Sequence, residues 1–159
     1  MKLKTIVDES FEYYRKPVML LAFPYCTFKC CKEAGLPTTI CQNEPWCRQA
    51  TYDYSEEEVI ERYLSNPLTS GLCGGGFEPL DSFGELVSFL EKLRQKTTDV
   101  FIVYTGYNFE EKEEETEQLS EFENIIVKYG RYKVGDKPHR DKILGVDLAS
   151  DNQYAIKIS

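Results

Sequence analysis

Six thiols are the most reactive side chains in this sequence, and they are clustered. The cysteines are Cys26, Cys30, Cys31, Cys41, Cys47 and Cys73, and the first five fall within residues 26–47. In an oxidising compartment an even number of cysteines suggests a disulfide framework, whereas in a reducing one a tight cluster points to metal binding or redox chemistry. Met1 to Lys16 mixes Lys, Asp, Glu and Arg with scattered apolar residues, without the apolar core or small-residue cleavage site of a secretory signal. A cytoplasmic location is therefore expected, and with it metal or redox chemistry. Cys73 stands apart among glycines and reads as a small buried hydrophobe. The sole histidine, His139, lies in the loop-like Lys137-Pro138-His139-Arg140 and reads as solvent-exposed, so a hydrolytic triad or a histidine-based metal site has little to use.

The elements that must position these thiols follow from hydrophobic patterning. Val18 to Phe23 is a short continuous apolar run, as expected of a strand covered on both faces, and Cys26 and Cys30 follow it directly as a C-x₃-C pair. Ser55 with Glu58 forms a capping box before a helix whose apolar face is Val59, Ile60, Tyr63 and Leu64, ended by Asn66-Pro67. Gly71 to Asp81 reads as a glycine-rich strand-to-helix turn. Ser82 with Glu85 suggests a second capping box, before Phe83, Leu86, Val87, Leu90 and Leu93 at helical spacing. Val100 to Tyr104 reads as a central strand, Asn108 as the cap of an acidic helix, Ile125 to Val127 as a further strand, and Tyr154 to Ile158 as a closing one. Phe11 to Tyr14 reads as packing against the sheet, and the acidic run Glu110 to Glu117 as a solvated helix face.

Strands alternating with helices imply an α/β fold with a mostly parallel sheet, residues 1–159 forming one domain. Such sheets bind ligands beyond the carboxyl ends of their strands, where the cysteine segment, the glycine segment and Thr105-Gly106-Tyr107 all fall. The length of 159 residues is close to the ~150 of one domain, and 42% hydrophobic residues suffice for a core. Nineteen basic against twenty-seven acidic residues give a net charge of −8, which opposes general nucleic-acid binding. The longest apolar runs fall far short of the ~20 residues of a membrane span, so no membrane association is expected.

Five segments carry a resemblance to a known family: the C-x₃-C after the first apolar strand; Cys41-Gln42-Asn43; Gly75-Gly76-Phe77-Glu78-Pro79-Leu80; Tyr104-Thr105-Gly106-Tyr107; and Ser150-Asp151-Asn152-Gln153. In this order they resemble the radical S-adenosylmethionine (SAM) family, and most closely the activating proteins of anaerobic ribonucleoside-triphosphate reductase. The resemblance implies a partial (β/α) barrel and a [4Fe–4S] cluster held by three cysteines. The fourth iron is left to SAM, which is cleaved reductively to methionine and a 5′-deoxyadenosyl radical. It also implies a glycyl-radical enzyme as partner, most closely that reductase, and a low-potential electron donor such as flavodoxin. Cys26, Cys30 and Cys41 are the implied metal ligands, Gly75, Gly76, Glu78 and Thr105 the implied SAM-binding residues, and no acid–base catalytic residue is implied.

Two departures matter. The family spaces its ligands C-x₃-C-x₂-C, but here Glu33 occupies the third position, and the motif is restored only if Lys32 to Ile40 belongs to an insertion before Cys41. Cys31 in place of Cys30, or Cys47 in place of Cys41, are the alternatives. Phe77 adds one residue between the glycine pair and the acid. Two other functions fit the same residues: a radical SAM enzyme acting on another peptide or protein, and a non-catalytic zinc or iron–sulfur binding module. Asn152 and Gln153 read by default as surface turn residues.

Overall fold

The computed structural model describes residues 1–159. In chain order the strands are β1 (Lys2–Leu3), β2 (Thr5–Ser10), β3 (Val18–Phe23), β4 (Tyr52–Asp53), β5 (Gly71–Gly76), β6 (Val100–Tyr104), β7 (Ile125–Tyr129), β8 (His139–Arg140), β9 (Asp147–Leu148) and β10 (Tyr154–Lys157). The helices are α1 (Lys29–Glu33), α2 (Glu56–Leu64), α3 (Phe83–Leu93) and α4 (Glu113–Ser120). Six strands form the main sheet in the order β10-β7-β6-β5-β3-β2. The inner pairs β3–β5, β5–β6 and β6–β7 are parallel, while β2 and β10 add antiparallel edges. The fold is mixed α/β with a mostly parallel sheet; of the partial-barrel expectation, the structure shows this open six-stranded sheet.

Alternation along the inner strands explains their unbroken apolar runs. Met19, Leu21 and Phe23 of β3, Phe101 and Val103 of β6, and Ile125, Val127 and Tyr129 of β7 face one core. That core is completed by Val59, Ile60 and Tyr63 of α2, by Leu86, Phe89, Leu90 and Leu93 of α3, and by Leu119 of α4. Val18, Leu20, Val100, Ile102 and Ile126 point the other way, against Tyr14, Leu144, Val146 and Leu148. Both faces are covered, so neither register position tolerates a polar residue without a partner.

Several expectations are corrected. Gly71–Gly76 is not a turn but the strand β5, at the middle of the sheet. Glycine is a poor strand former, yet here neighbouring side chains fill the space it leaves. A Cβ on Gly74 would lie 3.2 Å from Phe23 Cε2 and 3.4 Å from Phe101 Cε1, and one on Gly71 would lie 2.5 Å from Val100 Cγ1. Ser55 and Glu58 do form the capping box of α2, but Leu64 is exposed on that helix. Ser82 precedes α3 without a side-chain cap, and the Glu85 carboxylate that would complete the box accepts from the Lys2 N–H. Phe89, not Val87, supplies the extra buried residue of α3. Asn108 precedes a 3₁₀ turn, Phe109–Glu111, and the acidic helix starts only after Lys112. Phe11 is 69% exposed, whereas Tyr14 is buried and Tyr13 packs edge-on against Tyr104. No helix is long and apolar enough to cross a membrane.

Candidate metal centre and ligand cavity

The parallel strands β3, β5 and β6 end at one rim, and their following segments enclose a cavity of ≈ 570 Å³, within the size range of ligand sites. Its wall includes Cys26, Cys30, Cys31 and Cys41. Gly76, Glu78, Thr105 and Gly106 line it as well. Of the residues expected to bind metal or ligand, only Gly75 is absent from this wall. A Cβ on Gly75 would instead stand 3.3 Å from Leu20 Cδ1 and 3.7 Å from Tyr104 Cβ, so its place is in the second core. Cys47 is exposed and lies off the cavity, and Cys73 is buried in the second core.

Local geometry explains how the first two thiols turn inward. The N–H of Phe28 points to Cys26 Sγ at 3.2 Å, and Phe28 itself adopts a left-handed conformation with φ 52°. That conformation is costly for a bulky residue and persists only where the surroundings impose it. Here the Phe28 ring meets the Phe77 ring edge-on at 5.7 Å, so the extra residue after the glycine pair has a packing role. Immediately after this turn, α1 carries Cys30 and Cys31, whose sulfurs lie 4.0 Å apart.

Cys41 follows a 3₁₀ turn, Thr38–Ile40, and Asn43 two residues on donates its side-chain N–H to the carbonyl of Gly76. This bond ties the third-cysteine segment to the end of β5. Gly76 has φ +80°, and a Cβ there would lie 2.9 Å from Ala22 Cα and 2.8 Å from Trp46 Cζ3. Glycine is required by both conformation and close approach. Asp81 provides a second tie: it accepts from the Thr27 N–H at 3.1 Å and from the Tyr107 hydroxyl at 2.7 Å.

Glu78 is 6% exposed, and its two oxygens accept from the N–H groups of Leu80 at 3.2 Å and Gly106 at 2.9 Å. Burial pushes its carboxyl up to about 7 despite these bonds. Thr105 is buried and its hydroxyl accepts from the Tyr107 N–H at 3.0 Å. Burial likewise raises the thiols, Cys26 to about 12 and Cys31 to about 11, and raises Cys41 too. Coordination is what removes such protons, so metal binding at these thiols would release them.

Residues missed in the sequence complete the cavity. Lys128 is 6% exposed and donates to the carbonyls of Gly130 at 2.9 Å and Thr105 at 3.4 Å. Desolvation pushes its ammonium down to about 8. A lysine inside the run Ile125-Ile126-Val127-Lys128-Tyr129 was the available signal, because a charge in a buried strand needs a partner. Arg131 pairs with Glu111 through two bonds of 2.5 and 2.7 Å and with Glu33 of α1, while Lys29 of α1 also meets Glu111. Gln153, expected on the surface, is buried; it accepts from the Ser150 N–H and donates to the Gly130 carbonyl. His139 is only half-buried, on the short strand β8, away from the cavity wall.

The donor set suits an iron–sulfur cluster. Four thiols line one cavity, and no three Cys, His, Asp or Glu side chains converge as a single ion requires. Thiolates of a cubane bind separate irons and stand farther apart than donors sharing one ion at about 2.3 Å, so Cys30 and Cys31, with sulfurs 4.0 Å apart, are alternatives for one position. Searches of curated proteins and of solved structures find no significant match. The model of the 4Fe-4S single cluster domain, a type related to the radical SAM domains, matches residues 18–154. The match covers most of the chain, which thus belongs to the 4Fe-4S single cluster domain family.

Proposed function

We propose that this protein is a radical SAM activase that generates a glycyl radical on a partner enzyme, with anaerobic ribonucleoside-triphosphate reductase as the substrate the sequence favours. The observation that supports this reading is that four thiols, Glu78 and Thr105-Gly106 share one cavity beyond the carboxyl ends of the parallel strands. Cys26, Cys30 and Cys41 would hold a [4Fe–4S] cluster, which when reduced supplies the electron that splits the sulfonium of SAM.

The chain's own task is to bind, orient and keep out water. Glu78, fixed by two backbone N–H groups, keeps lone pairs for the ammonium of a methionyl group. Lys128 uses two donors on carbonyls, leaving a third for an anionic group of the ligand. Gly76 lets backbone approach closely where any side chain would collide with Ala22. Tyr104 and Thr105 form apolar and polar parts of the same wall. At the mouth, Ile40, Tyr132 and Val134 are exposed apolar side chains that a protein substrate would cover.

The test is anaerobic mixing of the reconstituted, reduced protein and SAM with candidate glycyl-radical enzymes, read by electron paramagnetic resonance (EPR). The expected result is a glycyl signal on the reductase that is absent when SAM is omitted. SAM cleavage with no glycyl signal on any partner would move the function to another peptide or protein substrate.

A further inference from the structure

We propose that Cys30 and Cys31 form a loading site that captures a single Fe²⁺ ion before the cluster exists, with Cys31 released as the cluster grows. The site follows from family membership and from the geometry of α1 and makes no use of SAM, so metal capture and SAM cleavage can each fail without the other.

Consecutive residues of an α-helix diverge by about 100°, so two neighbours seldom face one cavity. In α1 they do: Cys30 and Cys31 both line it, with their sulfurs 4.0 Å apart. Bonds of about 2.3 Å at a tetrahedral angle set two thiolates on one ion about 3.8 Å apart, so the pair needs only a small side-chain adjustment to share a metal. Cys31 is the one buried residue of α1, at 5% exposure. A structural cysteine packs as a small hydrophobe, as Cys73 does inside the second core. Cys31 belongs to neither core, and its sulfur meets that of Cys30 instead. A resident ion would need a third protein donor, and no third Cys, His, Asp or Glu joins the pair. Two thiolates leave the remaining positions to water, which sulfide can replace, as a loading site requires. Neighbouring residues also close the smallest possible loop around the ion, so capture needs no ordering of the chain between Cys30 and Cys41.

The steps balance without redox chemistry. Capture forms two Fe–S bonds as two thiol protons pass to solvent. During cluster growth a hydrosulfide ion takes the place of Cys31 on the iron and passes its proton to the leaving thiolate, while Cys30 stays bound. The iron remains Fe²⁺ through both steps.

The metal-free protein, kept reduced and anaerobic, would be titrated with Co²⁺ as a spectroscopic substitute for Fe²⁺, following thiolate-to-metal charge-transfer absorbance. Wild type is expected to take up a single Co²⁺. Cys30→Ser and Cys31→Ser should each bind it at least roughly tenfold more weakly, the scale on which a metal site responds to losing a supporting group, whereas Cys26→Ser and Cys41→Ser bind as wild type does. No uptake by wild type would overturn the proposal, as would undiminished affinity in Cys31→Ser or an equal loss in Cys26→Ser or Cys41→Ser. With excess iron and sulfide, Cys31→Ser should reach the wild-type cluster content, and with iron limiting it should do so more slowly. A folded Cys31→Ser protein that never assembles a cluster would make Cys31 a resident ligand and overturn the loading role. If Cys31→Ser does not fold, phenylarsine oxide on wild type decides, because its arsenic bridges two thiols with release of water. Arsenic located by mass spectrometry on Cys30 and Cys31 supports the loading site, and arsenic on any other pair overturns it.

Discussion

The inner sheet and the cysteine segment are held in opposite ways. In β3, β5, β6 and β7 nearly every residue is buried, and each strand is pinned by ladder bonds and by a core on either face. Across residues 25–51, which carry five of the six cysteines, Cys31 alone is buried, and the chain forms one short helix and two 3₁₀ turns before β1 pairs with β4. The sheet folds on burial. The cysteine segment is fastened by a few polar ties: Asn43 to Gly76, Lys4 to the Gln49 carbonyl, and the Lys29, Glu33, Glu111 and Arg131 network. For such a segment the free energy of metal binding is the free energy of ordering, so the cluster should stabilise the segment and leave the sheet little changed.

The largest effect should come from the thiols. Cys26→Ser, Cys30→Ser and Cys41→Ser are each expected to abolish most of the iron–sulfur absorbance after anaerobic reconstitution, while Cys47→Ser retains it. Circular dichroism of the metal-free variants should match wild type. A metal-free variant that no longer folds would break the division between segment and sheet.

Gly76→Ala probes the junction of the two regions. Its φ of +80° and the 2.9 Å approach to Ala22 Cα leave no room for a Cβ. Unfolding in urea should show a loss of about 2–4 kcal/mol, combining backbone strain with overpacking.

Glu78 gives a pH signature. Its folded carboxyl titrates near 7 against an ordinary 4.5, because of burial. Between those values the folded state keeps a proton that the unfolded state has released, so stability is fullest below pH 4.5 and falls as pH rises to 7. Glu78→Gln should flatten that part of the stability curve by roughly 1–3 kcal/mol, read from denaturation midpoints across pH. Lys128, pushed down to about 8 from 10.5, contributes the opposite slope at alkaline pH, stability rising from 8 to 10.5.

The smallest effect belongs to Arg131→Met, which removes the ion pairs to Glu111 and Glu33. Global stability should change by about 1 kcal/mol or less, since such pairs lie partly in solvent. Amide exchange in α1 should nonetheless accelerate, most at low salt, while β6 stays protected.

The same contrast explains what could be read from the residues. Val18–Phe23 and Val100–Tyr104 announce themselves as doubly covered strands because apolar side chains at every position require burial on both faces. β5 is invisible to such reasoning: its glycines become strand-compatible only once Phe23 and Phe101 occupy the space beside them. β2 was missed because Thr5–Ser10 alternates weakly and lies at an edge. At the site, the family resemblance implied three ligands with Cys31 and Cys47 as alternatives, but could not show that Cys31 reaches the cavity and Cys47 does not, since that depends on how the segment folds over the strand ends. Gln153 read as a turn residue because its burial depends on Gly130 and Ser150 arriving from elsewhere in the chain.

The proposed function requires that this cavity hold a cluster able to cleave SAM. It is tested most directly by reducing the anaerobically reconstituted protein with dithionite in the presence of SAM and quantifying 5′-deoxyadenosine. Wild type is expected to yield 5′-deoxyadenosine and Cys30→Ser none. A fully assembled, fully reduced cluster in wild type that yields none would contradict it.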